Sequence, residues 1–313
     1  MSMAFVFPGQ GSQEVGMGKA LADAFPAARE VFGEVDEALG QNLSKLMFGG
    51  PDDELRLTEN AQPALMAVSM AVMRVLEAEG GFSLADRAAF VAGHSLGEYS
   101  ALAAAGAFAL ADTARLLKTR GQAMQRAVPV GEGAMAALLG LELDDVRAAA
   151  VAAADGEVCT VANDNSPGQV VVSGHTAAVE RAVEIAKDRG ARRAVMLPVS
   201  APFHCPLMAP AAEVMAEALG KAAISAPAPV LVANVTAESV ADPDTIRRLL
   251  VEQVTGAVRW RESVLYMKNE GVDRLVEAGA GKVLSGLARR IDRDLTGSAI
   301  NAPDDVENFL KSM

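Results

Sequence analysis

Aromatic side chains are scarce in this sequence: one tryptophan, two tyrosines and ten phenylalanines make up 4% of 313 residues. Stacking platforms for nucleic-acid bases are correspondingly few. Basic residues are also in the minority, 28 against 40 acidic, for a formal net charge of -12. That balance argues against broad attraction to nucleic acid or to an anionic membrane. Cysteine is almost missing. Cys159 and Cys205 form neither a disulfide framework nor a zinc motif, and two lone thiols fit a reducing, cytoplasmic setting. No apolar run is long enough to span a bilayer: the longest, Ala101 to Ala111, stops at Asp112. The first ten residues carry no basic segment ahead of a long apolar one, so they read as a strand and not as a signal peptide. Internal repeats and low-complexity linkers are absent.

What the chain does have is aliphatic bulk. Hydrophobic residues make up 51% and charged residues 22%, which suits a large core built from alanine and branched side chains. The length exceeds the usual single-domain size, so one large domain with an insertion, or two domains, is expected. Ala4–Phe7 reads as a buried strand ended by Pro8-Gly9. Helical patterns follow over Lys19–Leu39 and Ala61–Glu79, the second preceded by the polar capping cluster Thr58-Glu59-Asn60. Ala88–Ala92 is the next buried strand. Helices at about Leu96–Ala105 and Ala111–Met124 come after it. Alternating strands and helices predict an α/β fold with a mostly parallel sheet.

The rhythm changes between Gly133 and Leu197. Strands at Ala134–Leu141, Val158–Ala162, Gln169–Ser173 and Arg193–Leu197 enclose helices at Leu143–Ala154 and Thr176–Arg189, with a turn from Asn163 to Gly168. The order β-α-β-β-α-β is that of a ferredoxin-like unit. The expected organisation is a large α/β domain, 1–127 and 199–313, with a small ferredoxin-like subdomain, 128–198, inserted in it. In the returning part, strands are expected at Val230–Asn234 and Arg274–Glu277. Helices are expected at Thr245–Val254, Arg261–Glu270 and after Gly281. The order of strands in the sheet is not readable from the sequence.

The strongest chemical signal is Gly93-His94-Ser95-Leu96-Gly97. A buried strand enters this G-x-S-x-G pattern and a helix leaves it, as a nucleophile elbow requires. Small residues flank the serine so that a tight turn can lift its hydroxyl clear. Free N–H groups at the helix start favour developing negative charge. A plain helix cap would also use a glycine-flanked serine, but it would not need the entering strand. A serine hydroxyl needs a base, and the chain has three histidines. His94 is the elbow's own neighbour, and His175 precedes a helix as a surface or capping residue. His204 sits in the rigid loop Ser200-Ala201-Pro202-Phe203-His204-Cys205-Pro206 and is the expected base. No acidic residue flanks it closely, and it lies too early for an α/β-hydrolase triad, so a carbonyl oxygen is left to orient the imidazole in a Ser-His dyad. The N–H of Leu96 follows the nucleophile and is one expected oxyanion donor. The loop Phe7-Pro8-Gly9-Gln10-Gly11-Ser12-Gln13 is expected to supply the other from Gln10. Two glycine-rich stretches fail as cofactor motifs. Glu14 stands where a dinucleotide fingerprint wants its third glycine. Gly279-Ala280-Gly281-Lys282-Val283 lacks the hydroxyl residue and the leading glycine of a P-loop. No cofactor and no metal are expected.

These residues together resemble the malonyl-CoA:acyl carrier protein transacylases. The resemblance runs over essentially the whole chain. It is carried by the Phe7–Gln13 loop, the elbow through Glu98-Tyr99, Arg120-Gly121 with Met124-Gln125, Asn163 to Gly168, Ala201 to His204, and Gly279 to Leu284. It implies that Ser95 takes malonyl from malonyl-CoA and passes it to the phosphopantetheine thiol of acyl carrier protein. It also implies that His204 is base and then acid, held by the backbone carbonyl of Gln253, and that Gln10 and Leu96 hold the oxyanion. Arg120 is implied to pair with the malonyl carboxylate, whereas residue type alone would treat Arg115, Lys118 and Arg120 alike. Phe203, just before the histidine, is implied to favour malonyl over branched groups. An acidic carrier needs local positive surface on an acidic enzyme. Lys187, Arg189, Arg192 and Arg193 form one candidate group, and Lys282, Arg289, Arg290 and Arg293 another. A serine thioesterase or esterase, and a non-catalytic carrier-binding module, are the competing readings. Fatty-acid and polyketide pathways fit equally, and nothing demands more than a monomer.

Overall fold

The computed structural model describes residues 2–199 and 201–313, so Met1 and Ser200, which belong to segments read above, lie outside it. Among the described residues ten strands follow in chain order: β1 (Met3–Phe7), β2 (Ala88–Gly93), β3 (Gly133–Leu139), β4 (Cys159–Ser166), β5 (Gln169–His175), β6 (Arg193–Met196), β7 (Val230–Val232), β8 (Ser239–Val240), β9 (Arg274–Ala278) and β10 (Thr296–Ile300). They form two sheets. The larger has the order β10-β9-β1-β2-β7-β8, and all its pairings are parallel except the last. The smaller has the order β4-β5-β3-β6 and is antiparallel throughout. The chain is thus a mixed α/β fold with a mostly parallel sheet.

The central strands are apolar on both sides, as a helix-covered parallel sheet requires. Phe5 and Phe7 face one core with Val91. Ala4 and Val6 face the other with Ala92 and Trp260. The helix Thr58–Gly80 lies in the first core, buried around nearly its whole circumference from Thr58 to Leu76. In the smaller sheet, Ala136, Leu138, Val170 and Val172 pack on helices Leu143–Ala154 and Thr176–Asp188. Met135 and Val171 point the other way into the first core, so apolar packing runs without a break from one sheet to the other. Among the described residues no helix is long and apolar enough to cross a membrane.

Several boundaries differ from those read in the sequence. Lys19–Leu39 is two helices, Lys19–Ala24 and Pro26–Leu39, because Phe25 precedes a proline and is held extended at φ -122° and ψ 124°. Thr58, Glu59 and Asn60 are the first turn of their helix and not its cap. Asn60 turns back to donate to the carbonyl of Glu54 at 2.9 Å. β4 runs on through Asn163 to Ser166, leaving only Pro167-Gly168 as the turn. A parallel bridge between Asn163 and Val258 keeps that stretch extended. The helices Ala209–Lys221 and Pro303–Lys311 and the strand β10 were not expected.

The register of β1 and β2 sets Phe7 beside Gly93. The loop after β1 and the turn after β2 therefore leave the sheet side by side at its carboxyl edge. That is the edge where open parallel sheets place their sites.

Candidate active site

β2 passes through His94 and Ser95 into the helix Gly97–Ala104. A side chain at Gly93 would bring its Cβ to 1.9 Å from the Gly97 carbonyl, and one at Gly97 would sit 2.2 Å from the Phe7 oxygen. Only glycine fits either place. Ser95 itself has φ 54°, and His204 has φ 59°. The left-handed region disfavours residues with a Cβ, and strain of this kind gathers at functional positions. Four non-glycine residues among those described have positive φ, and two of them are the expected nucleophile and base.

Those two meet. Ser95 Oγ lies 2.8 Å from His204 Nε2. His204 Nδ1 lies 2.9 Å from the carbonyl oxygen of Gln253 and 3.1 Å from that of Gly256. Both oxygens only accept, so the imidazole proton is on Nδ1 and Nε2 is left to accept from the serine. Gln253 and Gly256 end the helix Pro243–Thr255. Its carbonyl end therefore faces the ring and would favour positive charge there. Burial pushes the His204 pKa down to about 3, the Arg120 charge acts the same way, and the two carbonyls act against them. The neutral ring is the form that can accept a proton, and its proton-free Nε2 persists as pH falls through 6.5. An NMR titration of His204 is expected to stay flat from pH 6.5 to about 5, where an ordinary imidazole becomes charged; a midpoint near 6.5 would contradict this.

Arg120 approaches Ser95 from inside the protein. It is 1% exposed on the helix Leu110–Arg126. Nη1 donates to Gln62 Oε1 at 2.9 Å, and Nη2 to Gln253 Oε1 at 2.7 Å and Ser95 Oγ at 3.1 Å. Its Cζ lies 5.7 Å from the centre of the Tyr99 ring. Among the described residues no carboxylate pairs with it, and its Nε and the Tyr99 hydroxyl have no hydrogen-bond partner. Burial lowers the Arg120 pKa while Tyr99 and Glu98 draw it back up. The neighbouring cations are spoken for elsewhere: Arg115 pairs with Asp112 and Lys118 with Glu59.

Ser95 and His204 open onto a cavity of about 320 Å³ that is also lined by Gln10, Arg56, Met135, Leu197 and Phe203. A recess of about 180 Å³ beside it shares Gln10, Gly11 and His94 and extends to Val283 and Leu287. Neither the Gln10 nor the Leu96 N–H donates to another described residue, so both remain available to an oxyanion. Gln10 lines the cavity, whereas the Leu96 side chain is buried behind the turn. The His94 ring turns away from the hydroxyl to meet Asn165 Oδ1 at 2.9 Å. His175 is remote from the site: its Nδ1 accepts from the Val158 N–H at 2.9 Å.

Three polar residues of the site escaped the sequence reading. Asn234 donates to the Gly93 carbonyl at 2.7 Å and accepts from the Ser95 N–H at 2.8 Å. Gln62 holds Arg120. Glu98, buried on the elbow helix, accepts from Gln253 Nε2 at 2.8 Å and from the Asn234 N–H at 3.2 Å. Burial raises the Glu98 carboxyl to about 7 against the pull of those two donors. The one available signal was a carboxylate inside the otherwise uncharged Gly97–Ala104.

Known proteins resemble this chain over nearly its whole length. A family profile described as "Acyl transferase domain" matches residues 4–291. The malonyl CoA-acyl carrier protein transacylase of Escherichia coli (strain K12) is 49% identical over 308 residues, 98% of each chain. A crystal structure of acyl-carrier-protein-S-malonyltransferase from Bartonella henselae superposes with a TM-score of 0.97 at 55% identity, covering 100% of this chain and 99% of the other. A second structure, a type II PKS acyl-carrier protein in complex with its malonyl-transacylase, gives 0.97 at 42% identity with both chains fully covered. With a match of this length and closeness, the chain belongs to the acyl transferase family, among the malonyl CoA-acyl carrier protein transacylases.

Proposed function

We propose that this protein transfers malonyl from malonyl-CoA to the phosphopantetheine thiol of acyl carrier protein through a malonyl ester on Ser95. The observation that carries the reading is the placement of one hydroxyl between a neutral imidazole at 2.8 Å and a buried guanidinium at 3.1 Å. His204 Nε2 takes the Ser95 proton as Oγ attacks the thioester carbonyl. The N–H groups of Gln10 and Leu96 hold the negative oxygen. The carbon–sulfur bond breaks, and the CoA sulfur leaves with the proton from His204. The carrier thiol then gives its proton to His204 and attacks the ester carbonyl; the bond from that carbon to Oγ breaks, and His204 returns the proton to Ser95 Oγ. Arg120 pairs with the malonyl carboxylate by two parallel hydrogen bonds. Phe203 narrows the cavity against branched groups. No cofactor is invoked, since the thioester carries its own activation. A Ser-His dyad with the Gln253 carbonyl as orienter replaces an acid-containing triad.

The finer architecture follows the same reading. Residues 1–127 and 199–313 form an α/β-hydrolase-like domain, and 128–198 a ferredoxin-like insertion, supported by the β-α-β-β-α-β order and the strand order of the smaller sheet. The enzyme acts as a monomer in the cytoplasm. Its exposed large apolar side chains, such as Val15, Val151, Val214 and Val283, sit singly on separate elements, and both thiols are free.

The carrier docks across the two basic groups. Arg192 and Arg193 are exposed at the start of β6, which leads into the cavity-lining Leu197. Arg289 and Arg290 are exposed on the helix Val283–Ile291, which borders the recess. Arg193→Glu with Arg290→Glu is expected to raise the KM for carrier protein roughly 3- to 10-fold and leave that for malonyl-CoA unchanged. Unchanged carrier kinetics would remove these surfaces from the docking site. The test of the function itself is mass spectrometry after mixing with malonyl-CoA, followed by release of labelled malonyl to carrier protein or to water. Faster release to water would favour an esterase, and no adduct at all would favour a binding module.

A further inference from the structure

Glu98 is a buried carboxylate that the transfer reaction, as described, does not use. It is 1% exposed and makes no ion pair among the described residues. An uncompensated buried carboxylate is costly, and its retention calls for a reason. Its contacts supply one. Gln253, which is 0% exposed, touches three parts of the machinery at once. Its backbone carbonyl holds His204 Nδ1, its Oε1 accepts from Arg120, and its Nε2 donates to the Ser95 carbonyl at 2.9 Å. The Ser95 carbonyl and the Leu96 N–H belong to one planar peptide and point in opposite directions. A bond that fixes the carbonyl therefore aims the N–H that would hold the oxyanion.

The preceding peptide is held in a similar way by the other residue bound to Glu98. Asn234 grips the Gly93 carbonyl and the Ser95 N–H. Glu98 Oε2 accepts from the side chain of Gln253 and from the backbone of Asn234. One oxygen thus anchors both residues that hold the backbone on either side of a serine with φ 54°. An amide has a donor end and an acceptor end. If the Gln253 amide turned over, its oxygen would face two acceptors and its NH₂ would face the guanidinium.

We infer that Glu98 is a positioning residue for the acyl transfer: it anchors Gln253 and Asn234, and through them sets the Leu96 N–H and the strained Ser95. This rests on the malonyl-serine reading of Ser95. The test is the single-turnover rate of malonyl-Ser95 formation, read by intact-protein mass after quenching. Binding of malonyl-CoA is measured in parallel by calorimetry on a Ser95→Ala background. Glu98→Leu is expected to slow acylation about 10- to 100-fold, because the oxyanion donor is misaimed, with little change in binding. Glu98→Gln keeps an acceptor oxygen for both donors and is expected to restore a rate near that of the wild type. If Glu98→Leu does not fold, Gln253→Met, which keeps the volume and the His204-binding backbone, is expected to show the same loss. Wild-type acylation in whichever of these two variants folds, or an equal loss in Glu98→Gln and Glu98→Leu, would overturn the inference. A wild-type protein that forms no malonyl adduct would instead overturn the malonyl-serine reading on which it rests.

Discussion

Alanine at position 95 is expected to lower malonyl transfer to carrier protein by about 10⁴-fold or more, leaving only what binding and the oxyanion donors achieve without a nucleophile. The loss should be chemical and not structural. Ser95 Oγ contacts His204 and Arg120, and each has other partners: His204 keeps the Gln253 and Gly256 carbonyls, and Arg120 keeps Gln62 and Gln253. The positive φ is as awkward for serine as for alanine, so that strain is unchanged. Melting temperature and malonyl-CoA binding should therefore stay close to wild type while the mass-detected adduct disappears. An adduct that survives in Ser95→Ala would place the nucleophile on another residue.

Lysine at position 120 is expected to lower kcat/KM for malonyl-CoA by about 10- to 150-fold, the equivalent of a charge-assisted hydrogen bond of 1.5–3 kcal/mol. Transfer of acetyl should change far less, so that the preference for malonyl collapses. Charge alone does not explain the site. The guanidinium reaches Gln62 through one nitrogen and Gln253 and Ser95 through the other. An ammonium offers no such planar fork. Among the described residues the only oxygens it bonds are amide and hydroxyl ones, so the malonyl carboxylate would be the first anion to touch it. Measuring both thioesters side by side decides the matter. An equal fall for acetyl and malonyl would make Arg120 a support for Ser95 and not a selector.

The elbow was legible in the sequence because its requirement is steric and local. Gly93 and Gly97 leave no room for a Cβ, and an apolar strand precedes them. The meeting of His204 with Ser95 was legible by elimination, since three histidines leave few choices. Arg120 was not separable from Arg115 and Lys118 by residue type. Their difference is burial, which depends on the helix Thr58–Gly80 packing against theirs from far away in the chain. Asn234, Gln62 and Glu98 gave little signal, because a polar residue inside an apolar segment has no period to betray it. The order of the large sheet was hidden for a related reason. β1 pairs with β2 and β9, and nothing near residue 5 encodes a partner near residue 276. The split at Phe25-Pro26 was readable from the constraint that proline places on its predecessor, and an amphipathic pattern continuing across it masked the break.

That sheet order bears on how the protein is born. β1 leaves the ribosome before the other strands of its sheet, and β9, its neighbour on one side, emerges only after residue 273. Until then one edge of β1 presents unpaired amides, the kind of edge that recruits other chains. Ser95 and Arg120 are also made before the strands of the smaller sheet, while His204 and Gln253 come after them. A nascent chain therefore carries Ser95 without the imidazole it meets in the fold, and a sheet with an open side. Shortened forms that stop before β9 should accumulate as aggregates and not as slow enzymes.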